Sequence, residues 1–343
     1  MNRHRAAVKK IAASVREFYD HKEPYRISHG STNSTRPKGV MSAVDISALG
    51  HVLAVDKVKR TVLVEPNVAM DTLVEATLPH GLMPPVVMEF PGITAGGGFA
   101  GTGGESSSFR HGFFDETVER VEVVLANGEI ATASRDEHSD LFHAASGALG
   151  TLGIVTLLEI NLMPAKKYVH TRYHRISSVA EAVKLVREET TKPENDYVDG
   201  ILYSKDYGVI ITGTLTDKKP ENVKPQTFSG AWDPWFYVHA EERTSKSAPG
   251  SDFDPEEDYM PLAEYFFRYD RGTFWMDTGT SAAPEQQRRE EDSMMLNIGV
   301  WGHEGTLDPS GFVAKNRAIE DKVRSLGGKK WLYAHVYQPE ADY

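Results

Sequence analysis

Near the start of the chain Val8, Ile11, Val15 and Phe18 recur at helical spacing among Arg3, Arg5, Lys9 and Lys10. That spacing predicts a basic amphipathic helix, packed on the domain or lying against a membrane surface. From Pro24 to about Pro164 the pattern predicts short strands, tight glycine turns and two helices. Residues 51–56 and 60–65 are apolar runs around a polar turn, a hairpin pattern. Asn67 is placed to cap a helix whose apolar face is Met70, Leu73, Val74, Thr77 and Leu78. Residues 118–126 alternate as a strand, turn at Asn127-Gly128 and return through residues 129–134. An Asn-Gly pair between two such runs is a strong hairpin signal. Ser139 is placed to cap a short helix, and residues 152–163 form a second β-rich run.

After Pro164 the texture changes. Ser178 and Glu181 have the spacing of a capping box ahead of Val183 and Val186. Strands are expected around residues 197–203 and 208–214. An aromatic-rich stretch follows, with Trp232, Trp235, Phe236, Tyr237, Tyr265, Phe266, Phe267, Phe274 and Trp275. It reads either as core or as the wall of an apolar substrate site. Residues 244–258 and 278–293 are polar and aperiodic, so they read as loops. The chain closes with a strand at 295–301, a helix at 312–326 stopped by Gly327-Gly328, and a strand at 331–337.

Composition narrows the function classes. The chain has 343 residues, enough for two ordinary domains, and its 40% hydrophobic and 25% charged residues are those of a globular protein. A net charge of -11 argues against a protein-wide nucleic-acid surface. The absence of cysteine removes disulfides, thiolate metal sites, cysteine nucleophiles and a cysteinyl flavin link. No apolar run reaches the roughly 18 residues of a membrane span, and no apolar segment follows the basic N-terminus as a secretory signal would require. G-x-S-x-G, H-E-x-x-H and the phosphate-loop pattern are all missing, and no metal site is expected.

The strongest candidate chemistry is glycine-rich. Seven glycines fall within residues 92–104, letting backbone approach something flat or charged with N–H groups outward. Gly96, Gly98 and Gly101 satisfy G-x-G-x-x-G, but Pro84, Pro85 and Pro91 precede them where a dinucleotide fingerprint needs a strand. Upstream lies Ser28-His-Gly-Ser-Thr-Asn-Ser-Thr-Arg36, able to donate several hydrogen bonds to phosphate or to form a simple polar turn. Downstream, Gly147, Gly150 and Gly153 precede a β run. Three such segments over one β-rich domain suit a long cofactor with a diphosphate and a planar ring.

Five runs taken in order resemble the Diminuto-type delta-24-sterol reductases, within the vanillyl-alcohol-oxidase-like flavoproteins. They are His29-Gly-Ser-Thr-Asn-Ser-Thr35, Gly101-Thr-Gly-Gly-Glu-Ser-Ser-Ser108, Ser139-Asp-Leu-Phe142, Gly150-Thr-Leu-Gly153 and Pro164-Ala-Lys-Lys-Tyr168. The likeness covers about residues 5–275 and resumes over about 297–337. It implies an α+β fold: a PCMH-type FAD-binding domain of two subdomains (residues 1–165), an α+β cap domain (166–296) shortened at the polar linker 278–293, and a C-terminal return segment (297–343). On that pattern Ser31, Thr32, Asn33 and Ser34 hold the diphosphate. Thr94, Ala95, Gly96 and Gly97, with Gly101, Thr102, Gly103, Gly104, Glu105 and Ser106, run along the diphosphate and ring. Gly153, Ile154 and Val155 meet the adenine side. Thr32 or Asn33 stands where a tethering histidine commonly sits, so the FAD is expected to be non-covalent.

The resemblance further implies hydride transfer from NADPH through the flavin to an alkene carbon of a sterol-like apolar molecule, with a proton delivered to the neighbouring carbon. Proton-donor candidates are Glu105, His111, His335 and Tyr337, each equally able to be structural; the last two share one face of the final strand. The alternatives are a flavin oxidase or dehydrogenase of another apolar molecule, such as a terpenoid or polyketide, and an FAD-binding homologue with little turnover. The polar linker leaves the aromatic stretch partly uncovered, so self-association or peripheral membrane contact is expected. No nucleic-acid partner is expected. The expected location is the endoplasmic reticulum membrane surface or the cytoplasm, with no transmembrane segment in this chain.

Overall fold

The computed structural model describes residues 1–30, 42–245, 256–271, 280–282, 298–300 and 309–328. The described residues up to Asp270 belong to one compact unit. Its elements begin with α1 (Asn2–His21), β1 (Arg26–Ser28), β2 (Ala43–Asp45), β3 (Val52–Asp56), β4 (Thr61–Val64), α2 (Met70–Thr77) and β5 (Leu82–Met83). Then come α3 (Ala95–Ala100), α4 (Ser108–His111), β6 (Val118–Leu125), β7 (Ile130–Ser134), α5 (Ser139–Ala145), β8 (Gly153–Asn161) and β9 (Met163–Pro164). The second half holds β10 (Tyr168–Ile176), α6 (Val179–Glu189), β11 (Tyr197–Ser204), β12 (Tyr207–Thr216), α7 (Phe236–Ser245), β13 (Glu256–Pro261) and α8 (Leu262–Phe266).

The first half is built on an antiparallel five-stranded sheet in the order β3-β4-β8-β6-β7. Strict alternation along β8 turns every second residue inward, and Ile154, Leu158 and Ile160 are fully buried. β1 and β2 form a separate parallel pair. This is a mixed α+β arrangement, and among the described residues there is no run of parallel strands to make a Rossmann sheet. The β6–β7 hairpin turns at Asn127-Gly128 as its sequence demands: Gly128 has φ 79°, and the Asn127 side chain accepts from the Glu129 N–H at 3.0 Å. A Cβ on Gly128 would stand 2.8 Å from the Ala12 carbonyl oxygen, because α1 lies directly over the turn.

The α1 stripe is spent on this core. Val8, Ile11 and Val15 pack against Val44, Ile46, Val124 and Ile154, each burial stabilising by about 1.5–3 kcal/mol. That stripe is therefore closed to a membrane surface. Near the helix start His4, 2% exposed, sits between Glu65 at 2.9 Å and Glu122 at 3.1 Å.

Several local expectations change. Asn67 does not cap α2: its amide donates to the Ile46 carbonyl at 2.7 Å, and Ala69 holds the cap position. Ser139 begins α5 rather than capping it; His138 stands before it. The glycine run folds into α3, with Thr94 at its N-cap, so the first half has more than two helices.

In the second half the antiparallel order is β11-β12-β10-β13. β12 is buried through six consecutive residues, with α6 and α7 both packed on it. Ser178 caps α6, accepting from the Glu181 N–H at 3.1 Å. The return bond of the capping box lands one residue early, since the Glu181 carboxylate accepts from the N–H and hydroxyl of Ser177, both at 2.7 Å. Residues 256–258, read as loop, are the start of β13, where they pair with residues 171–173 of β10. Ladder pairing to an existing strand decides this against a polar local sequence.

The described residues from Arg271 onward belong to a second unit. β14 (Thr280–Ala282) and β15 (Ile298–Val300) pair antiparallel, and α9 (Pro309–Ser325) begins three residues before the expected start. Phe274, Trp275 and the strand expected at 331–337 lie outside the described residues, as does most of the linker 278–293. Among the described residues no helix is long and apolar enough to cross a membrane.

Candidate functional site

Two of the glycine segments meet directly. The Gly147 and Leu149 N–H groups donate to the Phe99 and Ala100 carbonyls at 3.3 and 3.1 Å. Ile27 of β1, just ahead of the first segment, also reaches this place: a Cβ on Gly150 would stand 2.7 Å from it. The turns are left-handed at Gly30, Gly147 and Gly150 (φ 75°, 70° and 81°) and at Thr102 and Leu149 (48° and 51°). Left-handed turns bring successive N–H groups into concavities that suit anions, and the residues present fit a diphosphate-bearing dinucleotide.

Within this frame α3 is fixed by its neighbours. The Ala95, Gly96 and Gly97 N–H groups donate to the Val68 carbonyl, the Pro66 carbonyl and the Thr94 hydroxyl at 2.8, 2.8 and 3.1 Å. A Cβ on Gly96 would meet Pro66 at 2.7 Å, and one on Gly98 or Gly103 would meet Met88 at 2.5 or 2.9 Å. These three glycines admit the protein's own backbone and core. Gly97 is on the exposed side of the helix, with Gly101, Thr102, Gly103 and Gly104 half-buried beyond it. Ile154 faces the core beneath α1, and Gly153 and Val155 continue the strand beside it. Ser31, Thr32, Asn33, Ser34, His335 and Tyr337 lie outside the described residues. His111 closes α4, its pKa lowered by burial and by Arg110.

Glu105 and Ser106 lead from the glycine segment to the second sheet. The Ser106 carbonyl accepts from the Val198 N–H at 2.9 Å, and its hydroxyl lies 3.3 Å from the Tyr265 hydroxyl. Glu105 has one oxygen on the Ser106 N–H and the other 3.5 Å from Arg268 Nη1. Arg268, 1% exposed, donates through Nη2 to Asp199 at 2.5 Å and through Nη1 to the Tyr265 carbonyl at 2.8 Å. The Tyr269 hydroxyl donates to Asp199 at 3.0 Å. The guanidinium carbon stands 4.1 Å from the Tyr265 ring centre and 4.8 Å from that of Tyr269, close enough for cation–π attraction.

Burial pushes the Glu105 carboxyl above its ordinary value, against the pull of Arg268. Glu89, which precedes the glycine segment, is pushed up to about 8 by burial and then by Glu105. Burial opposes the Arg268 charge, yet Tyr265, Glu105 and Asp199 hold its pKa above the usual value. Full ionisation would set three carboxylates against one guanidinium, so the cluster favours keeping a proton.

The sign of the Glu89 shift gives a stability test. Its folded pKa is raised, so its favourable contribution is complete below about 4.5 and is lost as pH rises through about 8. Glu89→Gln should therefore melt several degrees above wild type at pH 9, with the gap closing toward pH 5. A gap in melting temperature that is flat across that range would contradict the assignment.

Sequence reading reached Glu105 but missed Glu89, Asp199, Tyr269 and Arg268. The one signal for Arg268 is a cation directly after Tyr265, Phe266 and Phe267 in a stretch read as core.

Residues 6–134 match the family described as FAD binding domain. The human Delta(24)-sterol reductase is 36% identical over 227 residues, covering 66% of this chain and 43% of that protein. The Arabidopsis thaliana Delta(24)-sterol reductase is 34% identical over 243 residues, covering 68% and 42%. A Caenorhabditis elegans Delta(24)-sterol reductase homolog is 28% identical over 293 residues, covering 80% and 55%. The chain spans about half the length of these curated relatives. The FAD-binding domain match over residues 6–134 and this run of relatives make the chain similar to the delta(24)-sterol reductases over about two thirds of its length.

Proposed function

We propose that this chain is an FAD-dependent oxidoreductase that reduces the delta-24 side-chain double bond of a sterol with electrons from NADPH. The observation that carries the reading is the buried Glu105–Arg268 cluster joined directly to the glycine-rich segment. FAD supplies hydride chemistry when bound. The chain's own residues orient the alkene, exclude water and hold a proton at the Glu105 carboxyl. Thr94, Gly97, Gly101, Thr102 and Gly104 are assigned to the cofactor with 31–34, Gly153 and Val155, and His111, His335 and Tyr337 are the remaining acid candidates.

In the same reading residues 1–165 form a PCMH-type domain of two subdomains, 166–296 the cap and 297–343 the return segment. The exposed Trp232, Trp235 and Leu202 support self-association or contact with a membrane surface such as that of the endoplasmic reticulum.

Purified protein should be yellow, and acid or heat should release the flavin into the supernatant. The warrant is a chain without cysteine and with no histidine at Thr32 or Asn33. Flavin that stays with the precipitated chain would contradict the non-covalent assignment. NADPH should bleach the flavin, and a delta-24 sterol should restore its colour anaerobically. Colour restored by oxygen alone favours an oxidase, and flavin that NADPH leaves unchanged overturns the proposed electron donor.

A further inference from the structure

We propose that Arg268 is a positioning residue whose guanidinium, anchored by Asp199 and ringed by tyrosines, sets the orientation and proton affinity of Glu105. The inference rests on the reading of Glu105 as the proton-holding group.

Arg268 lies 163 positions from Glu105 and follows α8, so only the fold brings them together. Its anchor is stronger than its contact with Glu105: 2.5 Å to Asp199 against 3.5 Å to Glu105. Phe236 adds a third ring 5.3 Å from the guanidinium carbon, closing it off from water. Glu105 is tied to its own loop through the Ser106 N–H, so Arg268 governs only its other oxygen. A role confined to stability would be weakly served by this arrangement. Apolar residues often replace buried charges without loss, and Arg268 Nε is buried with no hydrogen-bond partner among the described residues, a cost of about 1–3 kcal/mol.

The ionisable and charged groups around Glu105 come from every packed element: Glu89 ahead of the glycine segment, Asp199 and Tyr197 on β11, Tyr265 on α8, and Arg268 and Tyr269 after it. Two of them act with opposite sign. Arg268 favours the Glu105 carboxylate, and Asp199 disfavours it.

The test compares Arg268→Gln, Arg268→Lys and Asp199→Asn in the flavin-loaded full chain. Two pH profiles are read: alkene reduction, and the flavin midpoint potential, which changes slope where a neighbouring acid loses its proton. Arg268→Gln should lower kcat by about tenfold or more, leave the sterol KM unchanged and move both profiles up by about one pH unit. Asp199→Asn should move them down. Lysine should restore part of the wild-type profile.

Opposite shifts cannot come from lost packing alone. If Arg268→Gln does not fold, the downward shift in Asp199→Asn decides the matter. Slope changes at the same pH in wild type and every folded variant would overturn the proposal. A wild type that binds flavin but reduces no delta-24 sterol would sink the substrate reading alone, and the potential profiles would still decide the role of Arg268.

Discussion

Glu105→Gln should leave flavin bound and reducible by NADPH while slowing reoxidation by the alkene by about 10²–10⁴-fold, the range for loss of a positioned acid. Glutamine keeps the size of the side chain and can still accept from the Ser106 N–H, so the loop retains its anchor. It cannot release a proton. The buried surroundings make that loss large, because bulk water is held away by Tyr265, Phe236 and the second sheet and cannot substitute freely. Stopped-flow absorbance separates the two half-reactions. An NADPH step within a factor of two of wild type and a collapsed alkene step is the expected pattern. Equal slowing of both would place Glu105 in flavin binding, and wild-type rates in both would remove it from the chemistry.

The second large effect separates the scaffold from the cradle. Gly96→Val should destabilise the fold by about 1–3 kcal/mol or more, because its Cβ would stand 2.7 Å from Pro66 Cβ and 3.0 Å from the Pro66 carbonyl oxygen. Pro66 is a rigid ring on its own backbone and leaves little room to yield. In a unit of this size that corresponds to a fall in melting temperature of about 2–12 °C. Gly97→Val meets only the Thr94 hydroxyl, at 3.1 Å, and points to the exposed side of α3. It should keep most of the stability and lose flavin, with affinity falling tenfold or more by about 1.4 kcal/mol. Thermal melts with and without added FAD read both effects. A Gly97→Val protein with full flavin content would remove α3's exposed side from the cofactor site.

Much of the local structure could be read along the chain because its causes are local. The Asn127-Gly128 hairpin, the α1 stripe and the Ser178 cap depend on residues within a few positions of one another, and the structure contains all three. The seven glycines of residues 92–104 were also legible as backbone that approaches something closely, and Gly96 and Gly98 lie against Pro66 and Met88. The failures have one origin. Asn67 looks like a cap until Ile46 offers its carbonyl, and 256–258 looks like loop until β10 offers a ladder. Neither partner is visible from the residues nearby.

The Glu105–Arg268–Asp199 cluster is the extreme case. By itself the sequence determined the glycine-rich chemistry, the α+β alternation of the first half and the candidacy of Glu105. Tertiary structure alone decided that Glu105 has a buried cation for a neighbour, that Asp199 and Tyr269 hold that cation, and that Glu89 shares the same enclosed space. The physical reason is range. Backbone preference acts over a few residues, whereas charge and burial act across space between segments that the fold alone makes adjacent.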